Sequence, residues 1–134
     1  MPKIILAGCV IRNEEGKVLL LHRKEEGKSQ WELPGGKVEE GEELWQAAVR
    51  ETIEEIGVEP TIAMELGLSE FRESALVYRF HWFLATIDKQ PEVKESKFDK
   101  LAYFSWHDMS IMREELSPNA RNLLQAYEDN KLPI

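Results

Sequence analysis

The densest group of side chains that could do chemistry consists of three glutamates within five residues. Glu51, Glu54 and Glu55 lie in segment 43–56, whose apolar residues repeat at helical spacing. At about 100° per residue, the three carboxylates share one stripe about 100° wide on the predicted helix. The stripe lies largely away from the predicted apolar face, which consists of Trp45, Ala48, Val49, Thr52 and Ile56. Such a stripe could hold hard divalent cations.

Local electrostatics argue that these acids are not there to stabilise the helix. Glu51 and Glu55 are like charges four residues apart, a pairing that weakens an isolated helix by about 0.2–0.5 kcal/mol. Glu54 and Glu55 also occupy the last turn, at the negative end of the helix dipole. A divalent cation would relieve both conflicts, and proteins usually hold Mg²⁺ with a few carboxylates plus substrate phosphates. We interpret the helix as a metal–phosphate site; the alternative is a solvated surface.

A glycine-containing segment, Leu33-Pro34-Gly35-Gly36-Lys37, comes just before the predicted helix. Paired glycines let the backbone approach a ligand closely, and their carbonyl oxygens could coordinate a metal. Lys37 adds a positive charge suited to a phosphate. The alternative is an ordinary turn, but the acids, the glycines and the lysine together favour a metal–phosphate site.

Length and charge limit the classes of partner. The 134 residues predict a single domain over 1–134, and 43% hydrophobic with 31% charged residues is globular composition. The net charge is −8, and most of it comes from residues 36–59, which hold eight acids and two bases. This balance argues against a nucleic acid polymer as partner. No apolar run is long enough to span a membrane, so we expect no membrane partner.

The N-terminal segment Leu6-Ala7-Gly8-Cys9 has the composition of a lipoprotein cleavage site. It lacks the long apolar stretch that a signal peptide carries before the site. We interpret it as part of a buried first strand and expect a cytoplasmic protein. Cys9 is the only cysteine, which excludes an internal disulfide.

The elements that must position these residues follow from periodicity and turn signals. Segments 4–12 and 17–24 predict a hairpin around the turn 13–16, and 30–33 predicts a third strand. Helix 43–56 should end at Gly57. Three more strands are predicted, two by the alternation in 62–68 and 76–84 and one by the run 101–106, and 88–99 should be a loop. Ser117 should cap a final helix, with Pro118 as its first residue. The order predicts an α/β (α+β) fold with one mixed β-sheet between helices.

The spacing of these groups resembles the signature of the Nudix hydrolases. The match covers residues 36–58, which read Gly36, five residues, Glu42, seven residues and then Arg50-Glu51-Thr52-Ile53-Glu54-Glu55-Ile56-Gly57-Val58. As in that family, the signature is preceded by Trp31-Glu32-Leu33-Pro34-Gly35. Thr52 departs from the pattern, because the family prefers a bulky aliphatic residue there. The resemblance implies a Nudix-like α/β/α sandwich and Mg²⁺-dependent hydrolysis of a phosphoanhydride, with Mn²⁺ as the alternative cation.

The resemblance also implies roles for individual residues. The implied metal ligands are the Gly36 carbonyl, Glu42, Glu51, Glu54 and Glu55. Glu51 would be a ligand or the base that activates water, and Arg50 would hold Glu51 in position. A further acid would come from the loop before the last strand, with Glu95 preferred over Glu92. The implied catalytic set is Glu51, Arg50, Glu54, Lys37 and Glu95.

The resemblance does not identify a single substrate, because family members hydrolyse different nucleoside diphosphate derivatives. The proline of many ADP-ribose-cleaving members and the tyrosine of many diadenosine-polyphosphate members are missing at the corresponding distances past the signature. The chain is more similar to the MutT-type enzymes, which convert a nucleoside triphosphate to a monophosphate and pyrophosphate. An ADP-ribose or nucleotide-sugar pyrophosphatase and a non-catalytic nucleotide sensor are the alternatives. Many family members form homodimers, but the sequence carries no interface signal.

Four residues are candidates for binding the nucleotide. Arg23 could contact phosphate or base, and Asn119 could contact the base, as an asparagine in a similar segment does in MutT-like relatives. Tyr78 or Trp82 could stack on the base, the alternative being that both are core residues. Trp45 is expected to be buried against the sheet.

Overall fold

The computed structural model describes residues 3–25 and 27–134 and has a mixed α+β architecture. The strands are β1 (Lys3–Ile11), β2 (Val18–Glu25), β3 (Lys28–Glu32), β4 (Gly35–Lys37), β5 (Thr61–Glu73), β6 (Leu76–Thr86) and β7 (Phe98–Phe104). The helices are α1 (Leu44–Ile56), α2 (Trp106–Ile111) and α3 (Pro118–Glu128), with a 3₁₀ turn at Arg113–Glu115. The predicted fold class is therefore confirmed.

The predicted mixed sheet is present, but the strands form two sheets and not a single one. A four-stranded sheet has the order β4-β1-β6-β5, with β1 and β6 parallel, and a three-stranded antiparallel sheet has the order β3-β2-β7. The predicted hairpin of β1 and β2 is reduced to one bridge between Arg12 and Val18. Beyond that bridge β1 pairs with β4 and β6, whereas β2 pairs with β3 and β7.

The two faces of β1 lead into two apolar clusters. Ala7, Cys9 and Ile11 pack with α1, whereas Val10 points to the opposite side, into the cluster that contains α3. This alternation is the period of two expected for an extended chain. Helices α1 and α3 therefore cover opposite faces, as in a sandwich, and each can carry residues to the same edge of the sheets.

The buried face of α1 differs from the predicted one. It consists of Ala47, Ala48, Thr52, Glu55 and Ile56. Trp45 is 50% exposed, so the prediction that it is buried is wrong. The two alanines face the sheet, and small side chains let a helix lie close to a strand, which leaves the large indole ring outside the contact. This rotation turns Glu55 inward.

The ends of the long helices agree with the sequence signals. Gly57 is left-handed (φ 73°), and its N–H donates to the Ile53 carbonyl at 2.9 Å. Ser117 Oγ accepts from the Ala120 N–H at 3.2 Å, with Pro118 as the first residue of α3. The short strand β4 was not predicted because its two glycines are typical of a turn. Helix α2 was not predicted because its first residue, Trp106, lies at the end of the predicted last strand. In the described residues, no helix is both long and apolar enough to cross a membrane.

Candidate active site

Glycines bring β4, β1 and α1 unusually close together. A Cβ on Gly35 would lie 2.8 Å from the Gly8 Cα on β1. A Cβ on Gly36 would lie 2.6 Å from both carboxylate oxygens of Glu51. Because real Cβ contacts are not that short, only glycine at position 36 lets the Glu51 carboxylate rest against the backbone of β4. The predicted glycine–acid pair is therefore brought together.

Glu55 is the buried acid of the set. Its side chain is 1% exposed, and its Oε1 accepts the Gly35 N–H at 2.8 Å. Lys97 Nζ lies 3.6 Å from the other oxygen, Oε2. The pKa of Glu55 is raised to about 8, mainly by burial; the Gly35 N–H and the Lys97 charge act to lower it, and the charges of Glu51 and Glu95 act to raise it. The positive charge near Glu55 is therefore too small to keep the pKa of its carboxyl group in the usual range.

Glu51 lines a cavity beside Glu55. Its side chain is only 15% exposed, and Arg50 Nη1 donates to Oε1 at 3.0 Å. Burial raises the pKa of Glu51, and the neighbouring charge of Glu54 adds to that effect. The second oxygen, Oε2, is left for another partner.

Arg50 joins the helix to β4. Its Nε and Nη2 donate to the two oxygens of Glu42 at 2.7 and 3.0 Å, and Nη2 also donates to the Lys37 carbonyl at 2.9 Å. Nη1 donates to Glu51 at 3.0 Å and to Glu54 at 3.2 Å. The guanidinium therefore fixes the position of Glu51, the arrangement expected from the sequence.

Two of the predicted metal ligands lie apart from the cavity. Both oxygens of Glu42 accept from Arg50, and Oε1 also accepts the Glu39 N–H at 2.8 Å. Glu54 is 46% exposed and faces solvent beside Arg50. The structure thus groups Glu51 with Glu55 and leaves Glu42 and Glu54 on the outer side of the arginine.

The loop before β7 contributes one acid and one base. Glu95 Oε1 is buried, accepts no hydrogen bond, and lies 3.5 Å from Lys97 Nζ. Glu92 instead is exposed and pairs with Lys94 at 3.1 Å. Glu95 is therefore the acid of this loop that faces Glu55. Lys97 was missed in the sequence, where its only signal is its place two residues after Glu95.

The cavity beside Glu51 has a volume of about 400 Å³. Part of its lining is charged or backbone, from Arg23, Gly36, Lys37, Glu51 and Lys97. Another part is aromatic and apolar, with Leu6, Phe71, Tyr78 and Phe80, and the rest is mostly polar or charged, including Lys28, Gln30, Glu32, Glu73 and Asn119. Such a lining suits a ligand that has an anionic part and a planar part.

Two of the predicted nucleotide-binding residues, Arg23 and Tyr78, line the cavity and already contact neighbouring side chains. Arg23 lines the cavity, but Nε and Nη2 donate to Glu32 at 2.5 and 3.0 Å, and Nη1 donates to Glu25 at 2.9 Å. A phosphate at Arg23 would have to compete with these carboxylates. Tyr78 also lines the cavity, with its ring stacked on Phe71 at 5.3 Å and 9°. The sequence analysis missed Phe71.

Asn119 reaches the same cavity from the start of α3. Its Oδ1 accepts from Trp82 Nε1 at 2.9 Å and from Ser69 Oγ at 3.1 Å. Because an indole N–H can only donate, this contact fixes which atom of the amide is the oxygen. The alternative that Trp82 stacks on a base is wrong, since its side chain is 3% exposed; Trp82 instead orients Asn119.

The donor set fits a divalent cation. The charges of Glu51 and Glu95 raise the pKa of Glu55, and the bare Cα of Gly36 leaves room for the Glu51 carboxylate beside the backbone. Over residues 3–25 and 27–134, no three His, Cys, Asp or Glu side chains are close enough to hold a metal by themselves. Mg²⁺ prefers a few carboxylates completed by waters and substrate phosphates, so the partial set is consistent with it.

Comparisons with known proteins agree with this geometry. The family model described as "NUDIX domain" matches residues 2–127. The chain is 40% identical over 62 residues to the 8-oxo-dGTP diphosphatase of Escherichia coli, covering 45% of this chain and 48% of that protein. It is 35% identical over 81 residues to the CTP pyrophosphohydrolase of the same organism, covering 59% and 60%. The chain thus spans about half the length of these curated relatives.

Among solved structures, the MutT protein of Methanosarcina mazei superposes with a TM-score of 0.86. The two chains are 26% identical, and the alignment covers 96% of this chain and 95% of that one. The similarity therefore includes both sheets and the helices that carry the site, and not the signature alone.

Proposed function

The chain belongs to the NUDIX domain family, and from that premise we propose that it is a divalent-cation-dependent nucleotide pyrophosphohydrolase. The substrate we propose is a nucleoside or deoxynucleoside triphosphate, which water splits into the monophosphate and pyrophosphate. One observation carries the proposal: a single cavity contains Gly36 and Glu51 together with Phe71, Tyr78 and Asn119. The first pair suits a metal-bound phosphate chain, and the other three suit a base.

The cytoplasm is the location we propose, because nucleoside triphosphates are found there.

The cofactor we propose is Mg²⁺, with Mn²⁺ as the alternative. Glu51, Glu55 and the Gly36 carbonyl would hold it, with Glu95 as a further acid near Glu55. When bound, such a cation neutralises phosphoryl oxygens and lowers the pKa of a bound water. Glu54 would join by turning its exposed side chain, whereas Glu42 would act by holding Arg50.

The chain offers two candidates for the base that takes the proton from water. Glu51 has one oxygen on Arg50 and a second oxygen free to accept a proton. Glu95 has a buried oxygen that accepts no hydrogen bond. Arg50 orients Glu51 and would prevent its carboxylate from turning away from the cavity. Because Glu51 would also hold the cation, Glu95→Gln is the informative variant: a loss of turnover at least as large as in Glu51→Gln identifies Glu95 as the base, and a near-normal rate leaves Glu51.

The phosphate chain would rest against the cationic part of the lining. Lys37 and Lys97 both line the cavity. The carboxylates nearest to Lys97 Nζ are 3.5 and 3.6 Å away, so this ammonium could also contact a phosphate. Arg23 could join only by leaving Glu32. The base would lie against the Phe71–Tyr78 pair, with the Asn119 amide donating to one of its acceptors. This arrangement supports a free nucleotide as the partner, and the net charge of −8 disfavours an RNA chain.

The test is a substrate panel with product identification. Purified protein with Mg²⁺ is incubated with each nucleoside triphosphate and deoxynucleoside triphosphate, ADP-ribose, nucleotide sugars and an RNA with a 5′-triphosphate. We expect monophosphate and pyrophosphate from at least one triphosphate, no reaction with chelator, and strongly reduced reaction in Glu51→Gln. A monophosphate plus a sugar phosphate would instead indicate the ADP-ribose or nucleotide-sugar alternative. Tight nucleotide binding without any product would indicate a sensor.

A further inference from the structure

The Lys97 ammonium lies between two acids of the candidate site. Its Nζ is 3.6 Å from Glu55 Oε2 and 3.5 Å from Glu95 Oε1. The side chain is 32% exposed and lines the cavity, with Nζ 5.3 Å from the centre of the Phe98 ring. The lysine therefore reaches the acids from the cavity side.

The two acids need this charge because they have few other partners. Glu55 is 1% exposed, and its other contact is the Gly35 N–H. Glu95 is less buried, with 35% of its side chain exposed, but its Oε1 is buried and accepts no hydrogen bond. A buried carboxylate without a counter-charge is strongly destabilising. In the metal-free protein, Lys97 thus provides the compensation that keeps both acids close together.

The two arginines near the site are already engaged with other carboxylates. Arg50 is bound to Glu42 and Glu51, and Arg23 to Glu32. Within the described part of the chain, Lys97 is the only basic side chain that makes an ion pair with Glu55. Its charge also lowers the pKa of Glu51. A single ammonium therefore pairs with Glu55 and Glu95, and its charge also acts on Glu51.

The contacts of Lys97 are long enough to be exchanged. A charge-assisted hydrogen bond is about 2.7–2.9 Å long, and the Arg23–Glu32 contact of 2.5 Å shows how close a committed pair lies in this chain. Lys97 is 3.5 and 3.6 Å from its two acids. Because the side chain is 32% exposed and lines the cavity, its ammonium has room to turn toward the cavity.

We propose that Lys97 is an internal counter-ion that takes the place of the divalent cation between Glu55 and Glu95 until the metal binds. This inference rests on the metal site of the proposed function. With a cation held at these acids, the Lys97 ammonium would turn toward the cavity, where the phosphate oxygens of a nucleotide could accept its hydrogen bonds. Lys97 thereby stabilises the metal-free protein and lowers its affinity for the metal alone.

The experiment measures Mn²⁺ binding and thermal stability without any substrate. Lys97→Met keeps an unbranched apolar side chain and removes the charge, and Lys97→Arg keeps the charge. Lys94→Met is the matched control, because Lys94 lies in the same loop and pairs with the exposed Glu92. Free Mn²⁺ is followed by electron paramagnetic resonance during titration, and unfolding is followed by circular dichroism in chelator and in saturating Mn²⁺.

We expect Lys97→Met to bind Mn²⁺ about 3- to 10-fold more tightly than the unmodified chain, since removing a partly buried ion pair removes its competition. Its melting temperature in chelator should fall by about 2–6 °C, and saturating Mn²⁺ should remove most of that difference. Lys94→Met and Lys97→Arg should stay close to the unmodified protein. Lys97→Gln provides the same comparison where the methionine variant does not accumulate as folded protein.

The outcomes separate this inference from the proposed function. Unchanged or weaker Mn²⁺ binding by Lys97→Met overturns the counter-ion role, even when the unmodified protein binds Mn²⁺ and hydrolyses nucleotides. An unchanged melting temperature in chelator does the same. No Mn²⁺ binding by the unmodified protein removes both this inference and the proposed metal site.

Discussion

Trp82 Nε1 and Asn119 Oδ1 lie 2.9 Å apart, although the two residues are 37 positions apart in the chain. Trp82 is on β6 and Asn119 is in the first turn of α3. Ser69 donates to the same oxygen from β5. Because both hydrogen bonds end on the oxygen, the Asn119 amide can offer only N–H groups to a ligand in the cavity.

This orientation predicts that an acidic replacement of Asn119 weakens nucleotide binding. Asn119→Asp keeps an oxygen for Trp82 and Ser69 but places a second acceptor where the N–H donor stood. We expect KM for the preferred nucleotide to rise about 10-fold or more, with kcat changed far less, because an unmatched buried polar group costs about 1–3 kcal/mol. Steady-state kinetics measure the split, and Asn122→Asp, on the same helix but outside the cavity lining, is the control. An unchanged KM would remove Asn119 from the base site.

Removing the negative charge of Glu55 should abolish most turnover while the fold remains. Glu55→Gln can still accept the Gly35 N–H, so the local packing is kept. We expect at least about a 100-fold loss of pyrophosphate release, the scale of a group that takes part in the reaction. Glu59→Gln, an exposed acid just after the same helix, should retain normal activity. A near-normal rate for Glu55→Gln would show that this acid does not hold the metal.

A methyl group at Gly36 should displace the Glu51 carboxylate. The added Cβ would lie 2.6 Å from both carboxylate oxygens. We expect Gly36→Ala to fold but to lose at least about 10-fold in activity, because small misplacements at a reacting centre are costly. Gly41→Ala is the control: its positive φ of 83° makes alanine unfavourable by about 1 kcal/mol, but no atom lies within 4 Å of its Cβ. Equal activity losses in both variants would point to backbone strain rather than to the carboxylate.

Two substitutions on α1 test which face of the helix is buried. Trp45 is half exposed, so Trp45→Ala should change the free energy of unfolding by less than about 1 kcal/mol. Ile56→Ala removes a fully buried side chain and should cost about 2–5 kcal/mol. Urea denaturation followed by circular dichroism measures both. A larger loss for Trp45→Ala than for Ile56→Ala would contradict the observed rotation of the helix.

Cys9 should be unreactive in the folded protein. Its side chain is buried, and burial raises the pKa of the thiol to about 11. A raised thiol pKa means that the reactive thiolate is scarce below that pH, with about one molecule in a thousand ionised at pH 8. We expect no measurable reaction with a thiol reagent at pH 8 within minutes and one thiol per chain in denaturant. Rapid modification of the native protein would show that the β1–α1 contact opens easily.

The chemical groups and their local order could be predicted from the sequence. The Gly36–Val58 spacing, the helix that carries Glu51 and Glu55, its end at Gly57 and the Ser117 cap all depend on neighbours a few residues away. Local periodicity and capping are set by backbone geometry and short-range hydrogen bonds, so they can be recognised without a fold.

The tertiary structure decided which of those groups meet. The rotation of α1 buried Glu55 and exposed Glu54, although the two are adjacent in sequence. Sheet pairing placed Gly35 against β1, and the loop before β7 brought Lys97 to Glu55. These contacts join residues far apart in the chain, and their free energies depend on burial and on the packing of other elements. No local pattern carries that information, so Lys97, Phe71 and the hydrogen bond from Trp82 to Asn119 became visible only in the folded chain.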